Sequence, residues 1–371
     1  SLFDAEKKEL IATVLLDEME LGAANPWALA FSADGKILYV SHAGTGELSV
    51  IDFPVLLEKL DSADKKEVSQ QLGFLSGMRR RVQTGVKGPR ALLVDGGGVY
   101  VAGYFSDDIV RVNEKGEVEK ICSLGEGLEG ASPERRGHSH YNDASLCFQT
   151  WQSCVSCHPD ARADGLNWDL TNDGIGNPKN TRSIMLSHFT PPVMTLGIRK
   201  DAETAVRRGF KHIQFVMPDE QMAKETDAYL RSLRPANSPR LNAKKPLKIK
   251  NTDPSCLQCH APELRRGSLS ESARRGKEIF KQAGCVQCHP HPFFTDMNLY
   301  DVGTLKGLDA GKKVDTPTLI EAWRTGPYLH DGRAATLEEA VFDLNKDSRR
   351  GRTNDLNAAQ KADLIEYLKS L

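Results

Sequence analysis

The sequence predicts a multidomain β + α protein: β-sheets over residues 1–145, then two mainly α-helical domains. Two observations predict this division. Short apolar runs broken by Gly and Asp recur in the first 145 residues, and amphipathic helical patterns replace them from residue 146 onward. A chain of 371 residues, 39% of them hydrophobic, is long enough for two or three domains that each bury a core.

The β region contains an internal repeat. "WALAFSADGKILYVSHAGTGELSVID" predicts strands near 28–32, 36–40 and 47–52, and "RALLVDGGGVYVAGYFSDDIVRVNEKGEVEKI" repeats the pattern after a helical stretch, "PVLLEKLDSADKKEVSQQL". Repeats of this kind are typical of propeller blades. A closed propeller needs about four blades, and 1–145 accounts for two or three. We therefore expect propeller-like sheets with an incomplete set of blades, unless further blades lie outside this chain.

The helical region divides in two. Helices are predicted over 201–210, 219–233, 270–283 and 355–370, and a Pro- and Lys-rich stretch over 234–255 is typical of a linker. The predicted domains are 146–235, a linker region over 236–270, and 271–371.

Cysteine spacing points to the chemistry. Six of the eight cysteines lie in three C-x-x-C-H motifs: Cys154, Cys157 and His158; Cys256, Cys259 and His260; and Cys285, Cys288 and His289. A zinc site needs further thiolate or imidazole ligands at matching spacing, which is not evident. A redox dithiol does not require the following His. The motifs therefore predict three covalently bound haem c groups, with each His as the proximal iron ligand.

Haem attachment of this type occurs outside the cytoplasm, so a periplasmic location is expected, with a signal peptide already removed before Ser1. Cys122 and Cys147 are left over, and we expect either a disulfide or two buried free thiols. The net charge of −1 and the pI near 6.8 do not favour nucleic-acid binding. No apolar run approaches the ~20 residues of a transmembrane helix.

Two longer segments carry a family resemblance. "CVSCHPD", "NPKNTRSIML" and "TPPVMTLGIRKDAETAV" resemble the first haem domain of bacterial dihaem cytochrome c peroxidases. "GKEIFKQAGCVQCHPHPFFTD", "DTPTLIEAWRTGPYLHDGRAATLEEAV" and "DLIEYLKSL" resemble their second haem domain. The same superfamily includes MauG, which oxidises tryptophans of a partner protein. "NPWALAFSADGKILYVSHAGTGELSVID" resembles a YVTN-type propeller blade.

The resemblance implies roles for the haems. The haem on His158 would be the peroxide site, and the haem on His289 would store electrons. The motif at His260 is an addition to the dihaem plan, and its place at the predicted seam between the helical domains suggests an electron relay that joins the two haems or reaches the surface. A calcium ion between the domains is also implied, with ligands from Asn180, Thr325 and Pro327. Asn180 is equally well explained as a turn residue.

The sequence departs from the family pattern around the iron atoms. No histidine lies between His158 and His188, and Asn172 stands nearest the usual resting-state ligand, which favours an open iron. Thr195 falls where a tryptophan normally lies between the two haems, and Trp168 is the closest substitute in sequence. Leu344 falls where the family places the axial Met or Tyr of the second haem. The candidate distal catalytic residues are His212, Gln214 and Glu220. The candidate further ligands or supporting residues are His188, Met297, Tyr300, Lys346 and His330.

The leading hypothesis is therefore a periplasmic multihaem enzyme that reduces hydrogen peroxide with electrons from a small redox protein, either a cytochrome c or a cupredoxin. One alternative is MauG-like oxidation of a partner protein that docks on the β region. The other is a non-enzymatic electron-transfer subunit in which all three irons have two axial ligands.

Overall fold

The computed structural model describes residues 1–169, 176–242 and 267–371. Within these residues the chain forms two compact units. The first comprises 1–156 with 214–226, and the second comprises 157–213 with 227–371.

Part of the predicted haem chemistry falls outside these ranges. Cys256, Cys259 and His260, which form the second motif, lie outside the described residues, and so does Asn172. Attachment of a haem to Cys256 and Cys259, with His260 as its proximal ligand, therefore stays a prediction from the sequence.

The first unit contains a short ribbon and two four-stranded antiparallel sheets. The ribbon pairs β1 with β2, and each larger sheet has its strands in chain order. The strands are β1 Leu2–Asp4, β2 Glu9–Ala12, β3 Pro26–Phe31, β4 Ile37–His42, β5 Glu47–Asp52, β6 Arg79–Gln83, β7 Pro89–Asp95, β8 Gly98–Gly103, β9 Asp108–Asn113 and β10 Val118–Ser123. The three strands predicted in the first repeat are confirmed as β3, β4 and β5.

The two sheets share a core of alternating apolar side chains. Leu48 and Val82 of the first sheet pack in one cluster with Val99, Val101 and Val112 of the second. Alternation in a strand sends every other side chain to one face, which explains this shared layer. Each sheet is an open meander, so within the described residues the propeller-like arrangement is confirmed as β-sheets but not as a closed ring.

Helices complete both units. They are α1 Phe53–Ser62, α2 Lys65–Val68, α3 Pro133–Asn142, α4 Cys154–Cys157, α5 Ala202–His212, α6 Glu220–Ser232, α7 Glu271–Gln282 and α8 Ala358–Lys369. Side chains of Ser270 and Asn357 cap α7 and α8 by accepting backbone N–H groups of the first turn. The four helices predicted after residue 146 are confirmed as α5 to α8. None of the helices in the described ranges is both long and apolar enough to cross a membrane.

The second unit contains two similar stretches, which we call the first repeat (157–206) and the second repeat (288–341). Each has a two-stranded ribbon, β11 Asn167–Trp168 with β12 Lys179–Asn180, and β13 Leu299–Tyr300 with β14 Val314–Asp315. Each ribbon is followed by a 3₁₀ turn and a loop with a cis X-Pro bond, at Pro192 and at Pro327. The loop sequences "TPPVMTLG" and "TGPYLHDG" correspond position by position.

The repeats contact each other reciprocally. The Asn180 N–H donates to the His330 carbonyl at 2.8 Å, and the Asp315 N–H donates to the Thr195 carbonyl at 2.9 Å. These four residues occupy equivalent positions, so each repeat binds the loop of the other. The loops that follow His158 and His289 therefore lie in one compact unit.

Candidate haem sites

The histidines of the first and third motifs are held in the same way. The Nδ1–H of His158 donates to the Arg162 carbonyl at 3.0 Å, and the Nδ1–H of His289 donates to the Phe294 carbonyl at 2.8 Å. In this tautomer Nε2 carries the lone pair that an iron ligand needs. Burial lowers the pKa of both histidines, so both rings are neutral. The Nε2 atoms of His158 and His289 are therefore available to ligate a metal ion.

The loops after these histidines are braced by equivalent pairs. The Trp168 indole N–H donates to Asp164 at 2.8 Å, and the Tyr300 hydroxyl donates to Asp296 at 2.5 Å. The bond from Asp296 raises the pKa of Tyr300 to about 12, so its phenol stays protonated. The structure thus gives Tyr300 a bracing contact, whereas its predicted role as an iron ligand would need the phenolate. Met297 follows Asp296 with a φ of 60° and is half-buried.

A cavity of about 360 Å³ adjoins His289. Its walls include Phe280, Phe294 and Tyr367, which are apolar and buried. Leu241 and Gly267 also line it. Asn242 and Ser268 next to them are joined by two backbone hydrogen bonds of 3.0 and 3.2 Å. An apolar cleft beside a neutral imidazole suits a porphyrin edge.

Three buried ring nitrogens lack a hydrogen-bond partner among the described residues. They are Nδ1 of His188, Nδ1 of His330 and Nε1 of Trp323. His188 and Trp323 occupy equivalent positions in the two repeats. Buried polar atoms are nearly always paired with protein or water, so these three nitrogens are free to bond to a water molecule or to a bound group. A haem with its iron and propionates would satisfy such atoms.

His188 is part of a buried charged group. Its Nε2–H donates to Asp227 at 3.0 Å, and Arg207 donates to the other carboxylate oxygen of Asp227 at 2.8 Å. The side chains of His188 and Asp227 are only 1% and 3% exposed. Sequence reasoning named His188 but missed Asp227 and Arg207, because they come from other segments of the chain and no local pattern marks them.

The other predicted distal residues have different settings. His212 is exposed at the end of α5. Gln214 is 3% exposed, and both polar atoms of its side chain lack partners within the described residues. Glu220 is exposed on the first turn of α6. His212 belongs to the second unit, and Gln214 and Glu220 belong to the first.

The residues implied for calcium lie partly together. The Asn180 amide is 3.4 Å from the Pro327 carbonyl, and Asn180 is 6% exposed. Thr325 is two residues before Pro327 and half-buried. Among the described residues, no group of three or more His, Cys, Asp and Glu side chains is arranged to hold a metal ion. The implied calcium site consists of an amide oxygen and carbonyl oxygens, so a search for these four side-chain types does not test it.

The described cysteines are thiols in this structure. Cys122 is exposed and Cys147 is buried, and neither forms a disulfide. The predicted alternative of a Cys122–Cys147 disulfide is therefore wrong, and so is burial of both thiols. Burial raises the pKa of Cys157 and Cys285 to about 11, so both are protonated thiols at neutral pH. Gly351 lies against Cys285, since a Cβ there would be 3.0 Å from its sulfur.

Asp315 gives a pH prediction. Burial raises its pKa to about 6, against the opposing effect of Arg182, which donates to Oδ2 at 2.9 Å. Its Oδ1 has no partner in the described part of the chain. The unfolded carboxyl has a pKa near 4. Between about pH 4 and 6 the folded state therefore binds more protons, and its stability falls as pH rises. Asp315→Asn is expected to gain about 2 kcal/mol relative to the wild type across this window.

The measurement is the free energy of unfolding of both proteins from pH 4 to pH 7. Asp363→Asn is the matched control, because Arg275 and Ser272 hold the pKa of Asp363 below its usual value. That pKa lies below the window of Asp315, so the stability lost in this variant should be nearly constant from about pH 5 to pH 7. A difference between Asp315→Asn and wild type that is independent of pH would contradict the prediction.

Comparisons with known proteins agree with these features. Residues 221–290 match the protein family described as cytochrome c554 and c-prime. Hydrazine synthase subunit gamma of Kuenenia stuttgartiensis is 29% identical over 293 residues, covering 64% of this chain and 77% of the relative. Methylamine utilization protein MauG of Methylophilus methylotrophus is 24% identical over 276 residues, covering 63% and 81%. The structure of K. stuttgartiensis hydrazine synthase under xenon aligns with a TM-score of 0.53 at 26% identity, covering 64% and 87%.

The fold, the equivalent settings of His158 and His289, and these relatives together support one class of protein: haem oxidoreductases with covalently bound haem c. Within that class, the predicted resemblance to the superfamily of MauG and the dihaem cytochrome c peroxidases is confirmed.

Proposed function

We propose that the chain is a periplasmic oxidoreductase that reduces hydrogen peroxide at the haem of Cys154, Cys157 and His158. The other two motifs hold haems that pass electrons to it from a small redox protein. In this proposal, the two repeats are the haem-binding parts of two cytochrome c domains. Bound haem supplies a redox-active iron, and the reduction consumes two electrons and two protons for each peroxide to give two waters.

The observation that supports this assignment is the difference between the repeats. The first has His188 with Asp227 behind it, and the second has Trp323 at the same position. Cleaving peroxide requires proton transfer between its oxygens, whereas storing an electron does not. A buried imidazole with a carboxylate partner is suited to proton transfer, and an indole is not. The first repeat is therefore assigned the reaction.

His188 has the arrangement of an oriented base. Asp227 accepts the Nε2–H, so the Nδ1 lone pair is the atom that takes a proton from peroxide and returns it to the leaving oxygen. The carboxylate stabilises the imidazolium in between, and Arg207 keeps that carboxylate oriented. His330, with its own orphan Nδ1, is assigned a supporting contact in the second repeat.

A calcium ion between the repeats is part of the same proposal. Rotating the Asn180 amide by half a turn directs its oxygen towards the Pro327 carbonyl, which creates a pair of oxygen ligands. Gly332 leaves the space for that amide, since a Cβ there would be 2.5 Å from Asn180 Nδ2. Thr325 would supply a further carbonyl.

Oxidation of a partner protein is the second candidate, and one surface favours it. Trp27, Leu29 and Phe31 alternate along β3 and are 52%, 68% and 42% exposed. Exposed apolar side chains aligned on one strand are typical of a protein contact. If this candidate is right, peroxide consumption will depend on a specific protein and not on small electron donors.

The test combines spin counting and kinetics on the holoprotein. Low-temperature EPR of the ferric protein should show a high-spin signal for one haem in three, and peroxide should be consumed with a reduced cytochrome c as donor. His188→Gln is expected to slow peroxide reduction about 100-fold. His212→Gln tests the competing assignment at an exposed position. Only low-spin signals, together with no peroxide consumption, would replace the enzyme by a three-haem electron relay.

A further inference from the structure

Arg162, whose carbonyl orients His158, also forms an ion pair through its side chain. Arg162 accepts the His158 Nδ1–H through its backbone oxygen. Its guanidinium donates two parallel hydrogen bonds to Glu321, from Nε at 2.6 Å and from Nη2 at 2.7 Å. The two side chains are 13% and 1% exposed. A bidentate pair in a buried setting fixes direction as well as distance.

Glu321 is itself anchored on its backbone and on its carboxylate. It has a φ of 63°, and its N–H donates to the Leu371 carbonyl at 3.1 Å. The Ala236 N–H donates to the same carboxylate. The carboxylate thus accepts three hydrogen bonds from two residues, which fixes its position. It lies in the second repeat, whereas His158 lies in the first.

The equivalent position in the other repeat has a different residue. Leu186 stands there with a similar φ of 66°. Phe294, whose carbonyl orients His289, has a phenyl side chain that can form no ion pair. The Arg162–Glu321 ion pair therefore anchors the residue that orients His158. The corresponding residue for His289 is Phe294, which is not anchored by an ion pair.

We propose that Glu321 is a positioning residue for the proximal ligand of the first haem. Through Arg162 it holds the carbonyl that accepts the His158 Nδ1–H, and so determines how strongly this imidazole donates to the iron. Groups behind a ligating histidine control its basicity and orientation, and typically change activity 10- to 100-fold. The inference rests on the proposed function only in taking His158 as the proximal haem ligand.

The test is Glu321→Gln in the holoprotein, after a haem count shows three haems. Without the carboxylate, the Arg162 carbonyl is less firmly held and the buried guanidinium charge is uncompensated. Both effects favour ferrous iron. We expect a lower iron–histidine stretching frequency in resonance Raman spectra, a higher reduction potential for the first haem, and kcat for peroxide about 10-fold lower with little change in KM.

Two further variants separate positioning from folding. Removing one partner of a buried ion pair is strongly destabilising, but an apolar pair in its place is often tolerated. Arg162→Leu with Glu321→Leu should therefore fold and reproduce the Raman shift. Asp363→Asn is the control, because it breaks a similar bidentate pair with Arg275, at 2.7 and 2.8 Å, that does not involve Arg162. This variant should not change the iron–histidine stretching frequency.

Folded variants at Glu321 with three haems and unchanged Raman spectra and potentials would overturn the inference. Failure of the proposed function is seen separately, as a wild-type protein that does not reduce peroxide.

Discussion

His158→Ala is expected to lower peroxide turnover roughly a thousandfold, equivalent to about 4 kcal/mol of barrier, while the haem stays attached through Cys154 and Cys157. The structure holds this imidazole neutral, with Nδ1–H bonded to the Arg162 carbonyl. As the proximal ligand of a bound haem, His158 would set how strongly the iron donates electrons to peroxide. Stopped-flow measurement of peroxide consumption, with haem content normalised, gives the rate.

His289→Ala is the matched comparison, because His289 is held by the same kind of bond in the second repeat. If the first haem is the peroxide site, this variant should still react with peroxide in a single turnover and lose mainly the later electron supply. Steady-state turnover would fall, whereas the first reaction would remain fast. The opposite result, with His158→Ala active and His289→Ala inactive in a single turnover, would exchange the roles of the two haems.

Local patterns account for the parts of the fold that sequence predicts well. The strand predicted at 47–52 is confirmed as Glu47–Asp52. It is buried on both faces, because Leu48 packs in the cluster between the two sheets and Ile51 packs in another. The helix predicted over 270–283 is confirmed as Glu271–Gln282, since Ser270 caps it and its apolar stripe faces the core. C-x-x-C-H spacing is equally local, which is why the haem motifs are visible without a structure.

The supporting contacts of the site are not local. Arg162 and Glu321 are separated by most of the second unit, and neither residue stands in a motif that suggests the other. Asp227, on α6, meets His188 in the first repeat although the two residues are 39 positions apart in the chain. A signal for the repeat did exist in the sequence, because "TPPVMTLG" and "TGPYLHDG" align with identical Thr, Pro and Gly. Comparing those two loops would have predicted His188 and Trp323 as equivalent positions.

Gly276 lies where α7 and α8 of the second unit approach each other closely, and its substitution should strongly reduce stability. A Cβ there would lie 1.9 Å from the Asp363 carbonyl oxygen and 2.8 Å from Tyr367 Cβ. Backbone atoms of α8 cannot move aside as a flexible side chain would, so α7 and α8 must separate. We expect Gly276→Ala to destabilise the protein by about 3 kcal/mol, measured by denaturant unfolding of the holoprotein.

Gly209→Ala supplies the control, because Gly209 also lies inside a helix, α5, but a Cβ there meets nothing within 4 Å. Alanine in a helix is favoured over glycine by roughly 0.8–1 kcal/mol, so this variant should be slightly more stable than the wild type. Both substitutions change helix propensity in the same direction, and their difference therefore isolates the steric contact. Since Cys285 follows α7 after two residues, separation of the helices should also reduce haem attachment at the third motif. Equal stability changes in the two variants would show that α7 and α8 do not pack as closely as the structure places them.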